Sequence, residues 1–143
     1  MKPPLILISP RLIKKGPTFR VVIKPSAPTS ARLTMDKKIV PSVRVLAMID
    51  TGASTTAVSQ NVIRRLKLNP RGAVKVYTSN KAAEIRYEFD ISLYFGDTTF
   101  LPLLRVLGAN LAHQRIDCLI GRDVLQFGKL IYDGPRQRVN LSF

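Results

Sequence analysis

The chain has 143 residues, enough for one domain with a sizeable core and too few for two. Apolar residues make up 45% and charged ones 22%, close to ordinary globular usage, which argues against disordered, collagen-like and coiled-coil classes. Lys and Arg outnumber Asp and Glu by 23 to 9, and the resulting +14 favours acidic partners or anionic surfaces without naming one.

The positive charge is concentrated at the front. Residues 1–44 hold ten Lys or Arg against one acid, Asp36. Pro3, Pro4, Pro10, Pro17, Pro25 and Pro28 interrupt this region, so short strands and loops are expected there and no long helix. Leu5–Ile8 and Phe19–Ile23 are the strand candidates. The run Leu5–Ile8 is far shorter than a membrane span and leads into Ser9, Pro10, Arg11, Lys14 and Lys15 with no cleavage-site pattern. One cysteine, Cys118, excludes an internal disulfide and fits a reducing compartment. A soluble, cytoplasmic chain is therefore expected, with no membrane span. His113 is the only histidine, which removes multi-His metal sites, so no metal or cofactor is expected.

From Val43 an apolar strand runs through Val45, Ala47 and Ile49 straight into Asp50-Thr51-Gly52-Ala53. An ionised carboxylate where a core strand breaks is costly unless it is hydrogen-bonded or shared. Thr51 supplies a hydroxyl that can lock the turn, and Gly52 lets the backbone N–H come close to the carboxylate. Ser59 then suits the N-cap of a short helix through Val62, Ile63 and Leu66 that stops before Asn69-Pro70. Between Ile85 and Phe95 apolar and polar residues alternate, the period of a half-buried strand, and Val74–Thr78 can pair with it across Ser79–Ala82 as a projecting hairpin. Gly96-Asp97 turns the chain into a strand over Phe100–Leu107. Leu119-Ile120-Gly121 closes another strand, and Arg122–Phe127 reads as a short helix stopped by Gly128. Leu130–Tyr132 and Val139–Phe143 pair around Asp133-Gly134-Pro135. Many short strands with two stubby helices predict an all-β, closed, barrel-like domain.

The run Ala47-Met48-Ile49-Asp50-Thr51-Gly52-Ala53-Ser54-Thr55-Thr56-Ala57-Val58 resembles the active-site segment of retroviral-type aspartic proteases, the retropepsins. Cys118-Leu119-Ile120-Gly121-Arg122-Asp123-Val124-Leu125 resembles the second signature of that family. The two motifs stand in the family's order with a long hairpin between them, and the resemblance covers residues 16–143, Gly16-Pro17-Thr18-Phe19 being similar to its first strand. Residues 1–15 are left as a basic, proline-containing front segment. The resemblance implies an acid-protease half-domain with a flap hairpin over a substrate cleft.

Asp-Thr-Gly occurs once, so the implied enzyme is a homodimeric aspartic endopeptidase, each copy contributing Asp50 to a carboxylate pair that activates a water against a peptide or protein substrate. Thr51 is implied to bond across the interface to its mate, Gly52 to face substrate backbone, and Ala53 to complete the loop. Ala53 replaces the serine common in pepsins, which implies a less acidic optimum than theirs. Arg122, beside Gly121, is implied to anchor the dimer interface or the active-site loop. Ser54 stands where viral enzymes usually carry an aspartate that pairs with that arginine, so its partner is open. Tyr77, Ser79, Asn80 and Lys81 are the flap candidates, although the tip lacks the family's usual glycines.

Other readings stay open beside this one. Asp123 can be a first-turn helix charge, and His113 with Cys118 is a weaker catalytic pairing. A retropepsin-fold module that dimerises or binds peptide without cutting would carry the same motifs. The +14 also leaves a basic nucleic-acid-binding domain, although no RNP-like, zinc-finger or helix-turn-helix pattern accompanies it.

Overall fold

The computed structural model of the chain describes residues 6–78 and 81–143. In chain order it forms β1 (Ile6–Pro10), α1 (Leu12–Lys15), β2 (Thr18–Pro25), α2 (Ala27–Met35), β3 (Val43–Ile49), β4 (Ala57–Ser59) and α3 (Gln60–Arg65). The second half forms β5 (Gly72–Thr78), β6 (Lys81–Phe95), β7 (Thr99–Ala109), β8 (Cys118–Ile120), α4 (Arg122–Leu125), β9 (Lys129–Asp133) and β10 (Arg138–Ser142). The strand order β2-β3-β8-β4-β7-β6 is closed by β2 pairing with β6, so the expected closed, barrel-like domain has six strands in its barrel, and β5 extends it on one side. A smaller sheet, β1-β10-β9, adds Val139 and Leu141 to the same core.

Alternation explains most of this. On β3 the residues Val43, Val45, Ala47 and Ile49 are buried while Arg44 is exposed and Leu46 and Met48 are half-buried. The long strand β6 does two jobs. Its first half, up to Tyr87, pairs with β5 alone as a projecting hairpin, Glu88 pairs with both β5 and β7, and its second half lies between β7 and β2 inside the barrel. Ser79 and Asn80, the expected tip, lie outside the described residues.

Three expectations need correction. The proline-interrupted front, where only short strands and loops are expected, holds a nine-residue helix, α2. Ser26 caps it, its Oγ accepting from Thr29 N–H at 3.4 Å, and Pro28 falls in the first turn, where a missing N–H breaks no helical bond. With α1 as a single turn, the described residues hold four short helices where two are expected. The C-terminal helix ends at Leu125 and does not reach Phe127.

Across β6 and β7, Arg105 meets Asp90 in register and donates through Nε and Nη2 to both carboxylate oxygens, at 2.9 and 3.1 Å. These hydrogen bonds hold the Asp90 carboxyl below its ordinary range, against the opposing effect of burial. A carboxyl whose folded pKa lies below its unfolded one stabilises the fold above the unfolded value, and that contribution is lost as pH falls through the folded one. Asp90→Asn is expected to melt below the wild type at pH 7, with the gap closing below about pH 4, measured by thermal scans across pH.

Candidate active site

Asp50 continues the β3 ladder by one residue, its N–H donating to Ile120 carbonyl oxygen on β8 at 2.9 Å. The chain then turns back on itself. Gly52 N–H donates to Asp50 Oδ1 at 3.0 Å, and Ala53 N–H donates to Asp50 carbonyl oxygen at 3.2 Å. A Cβ on Gly52 would stand 3.2 Å from that same Oδ1, so any side chain there would crowd the carboxylate. Asp50 is half-buried, and Thr51 and Gly52 are exposed. Among the described residues, Gly52 is the one protein donor to the Asp50 carboxylate, leaving Oδ2 for another group.

The second motif grips this loop at three levels. Arg122 N–H donates to Ala53 carbonyl oxygen at 2.9 Å, and Arg122 Nη1 donates to Thr51 carbonyl oxygen at 2.8 Å. The open question of the Arg122 partner is thereby answered: with Ser54 in place of an acid, the guanidinium holds loop backbone. Gly121 is buried so tightly that a Cβ would lie 2.8 Å from Thr55 backbone carbon, which explains why only glycine fits. Beneath the loop, Thr56 donates to Asp123 twice, N–H to Oδ2 at 2.8 Å and Oγ1 to Oδ1 at 2.7 Å, and Gly121 N–H donates to Thr56 Oγ1 at 3.0 Å.

Asp123 is therefore more than a helix-end charge. It is a clamp between the two motifs, and Thr56, fully buried, is the functional-loop residue that sequence reading missed. The available signal was its position as the last polar residue of Ser54-Thr55-Thr56, directly before the apolar Ala57-Val58. Ser59 repeats the device nearby: its Oγ donates to Asp117 Oδ1 at 2.7 Å and accepts from Val62 N–H at 3.2 Å, capping α3 as expected.

Cys118 and His113 do not form a pair. Cys118 sits in the core with its thiol pushed up to about 12 by burial first and by Asp123 and Asp117 second, while His113 is exposed on the preceding turn. Tyr77 lies on β5 near the hairpin tip and is 80% exposed; Lys81 begins β6. Among the described residues no three His, Cys, Asp or Glu side chains gather as a metal site.

A family model described as "gag-polyprotein putative aspartyl protease" matches residues 39–126, more than half of the chain and both motifs. The chain belongs to this aspartyl protease family. The retropepsin-like aspartic protease of Rickettsia conorii is similar over 100% of this chain and 96% of its own, with TM-score 0.57 and 16% identity, which shows that the family member has the retropepsin-like fold. The retroviral protease-like domain of Ddi1 from Leishmania major aligns over 69% of this chain and 83% of its own, with TM-score 0.42 and 16% identity. Comparison with curated protein sequences gives no match. Among the described residues of this aspartyl protease family member, no helix is long and apolar enough to cross a membrane.

Proposed function

We propose that the chain is a homodimeric aspartic endopeptidase in which two Asp50 carboxyls, one from each copy, share a proton and hold the attacking water. The observation that carries this is the Asp50 loop itself: a carboxylate at an exposed turn, fixed by Gly52, Arg122 and Asp123, with one such loop per chain. Two carboxyls about 3 Å apart cannot both ionise, so one stays protonated near neutrality while the other acts as base. The ionised carboxyl takes a proton from the water, and the protonated one donates to the carbonyl oxygen of the scissile peptide.

Thr51, exposed at the loop tip, is assigned to the contact with its mate, and Gly52 and Ala53 to the floor beneath substrate. The β5–β6 hairpin is assigned as the flap. Tyr77, Ile85 and Tyr87, exposed by 80, 65 and 56%, give it an apolar surface that an extended peptide added as a strand would cover. The split into residues 1–15 and 16–143 is assigned to function and not to folding, since Leu12 lies in the core.

The test couples assembly to chemistry. Specific activity on a peptide library is expected to rise with protein concentration through the dimer dissociation constant, to be blocked by pepstatin, and to follow the dimer mass in solution. Activity that is independent of concentration in a strictly monomeric sample would overturn the reading. With no hydroxyl at position 53, activity is expected to peak above about pH 3.

A further inference from the structure

On β3 the core takes Val45, Ala47 and Ile49, so Leu46, Met48 and the following Asp50 share the opposite face. Leu46 and Met48 form part of the floor of a groove of about 700 Å³ whose rim carries Lys14 and Lys15 from α1, Arg20 from β2 and Arg115 from the turn before β8. All four cations are exposed, and among the described residues no carboxylate lines the groove and none of the four is in an ion pair. Four uncompensated cations around one concavity raise the local concentration of anions. At strand spacing, Met48 stands about 7 Å and Leu46 about 13 Å from Asp50, the reach of two and four residues of an extended peptide.

We propose that this groove receives an acidic flank of the substrate, with Asp or Glu two to four residues from the scissile bond. Two-fold symmetry would place one such groove on each side of the paired Asp50 loops, so acidic residues are favoured on both flanks. The assignment rests on the protease reading for its position relative to the cut. A peptide is favoured over nucleic acid because the floor is aliphatic and its one aromatic, Phe19, is only 5% exposed, leaving no surface on which bases would stack.

The test uses a labelled peptide with an apolar centre and Glu flanks, its Gln counterpart, and a labelled single-stranded oligonucleotide, with binding followed by fluorescence anisotropy on the Asp50→Asn chain. The Glu peptide is expected to bind about ten-fold more tightly than the Gln peptide, the difference shrinking at high salt. Lys14→Gln, Lys15→Gln, Arg20→Gln and Arg115→Gln combined should remove the preference. Arg32→Gln, Lys37→Gln, Lys38→Gln and Lys67→Gln, which remove the same charge elsewhere, should keep it. Equal binding of the two peptides, a preference that survives the groove substitutions, or groove substitutions that weaken only the oligonucleotide would each overturn the proposal. Parallel cleavage assays on the unmodified chain separate the two claims. Groove-dependent binding without cleavage keeps the groove and discards the protease, whereas cleavage without acidic preference does the reverse.

Discussion

Replacing Asp50 by Asn is expected to lower peptide cleavage by about 10³-fold or more, with the melting temperature essentially unchanged. The amide keeps the carboxylate's shape and can still accept the Gly52 N–H through Oδ1, so the loop loses none of its described hydrogen bonds. It cannot exchange the proton on which the pair depends. The result becomes specific to a shared site when the two chains are mixed. An equal mixture at fixed total concentration contains about one quarter wild-type homodimer, so activity should fall to about one quarter, whereas independent single-chain sites would leave one half. Unimpaired cleavage by the Asn chain, or a fall to one half, would contradict the shared carboxylate pair.

Asp123→Asn is expected to be the most destabilising conservative substitution near the site, at about 3 kcal/mol. The carboxylate accepts three hydrogen bonds, from Thr56 N–H, Thr56 Oγ1 and Val124 N–H, and Thr56 is fully buried. An amide offers one acceptor oxygen and turns two donor hydrogens toward a donor, so at least one buried group loses its partner in either orientation. Thr56→Val removes the hydroxyl from the other side, and the double variant should cost less than the sum of the two. Denaturant titration of the four chains checks this, with exposed Asp97→Asn expected near zero. Additive costs would mean that the clamp is not a unit. Activity should fall with the clamp as well, since Gly121 N–H, bonded to Thr56 Oγ1, leads directly to the Arg122 contacts with the Asp50 loop.

Several features were legible because local chemistry dictates them. The alternation on β6, the Asp-Thr-Gly break after β3 and the Ser59 cap each follow from a few neighbouring residues, and each appears where those residues put it. Others misled for equally local reasons. Pro28 reads as a breaker, yet in the first turn of α2 it is compatible with the helix. β4 has no alternation to detect, because Ala57 faces the small cluster with Ala109 and Leu111 while Val58 faces the main core, so both sides are apolar. Asp123 read as a helix charge because its partner, Thr56, is distant along the chain and adjacent only through the barrel.

By itself, the sequence determined the strand periods, the two motifs, the single Asp-Thr-Gly and the excess of positive charge, since each is a property of residue order or count. Only the tertiary structure decided that Arg122 holds Thr51 carbonyl oxygen, that Asp123 ties one motif to the other, that Cys118 is buried beyond use, and that Lys14, Arg20 and Arg115 ring one groove. The physical reason is the barrel's closure. Parallel pairing of β3 with β8 and antiparallel pairing of β8 with β4 bring residues from opposite halves of the chain within hydrogen-bond distance, and no local periodicity encodes which distant donor will meet which acceptor.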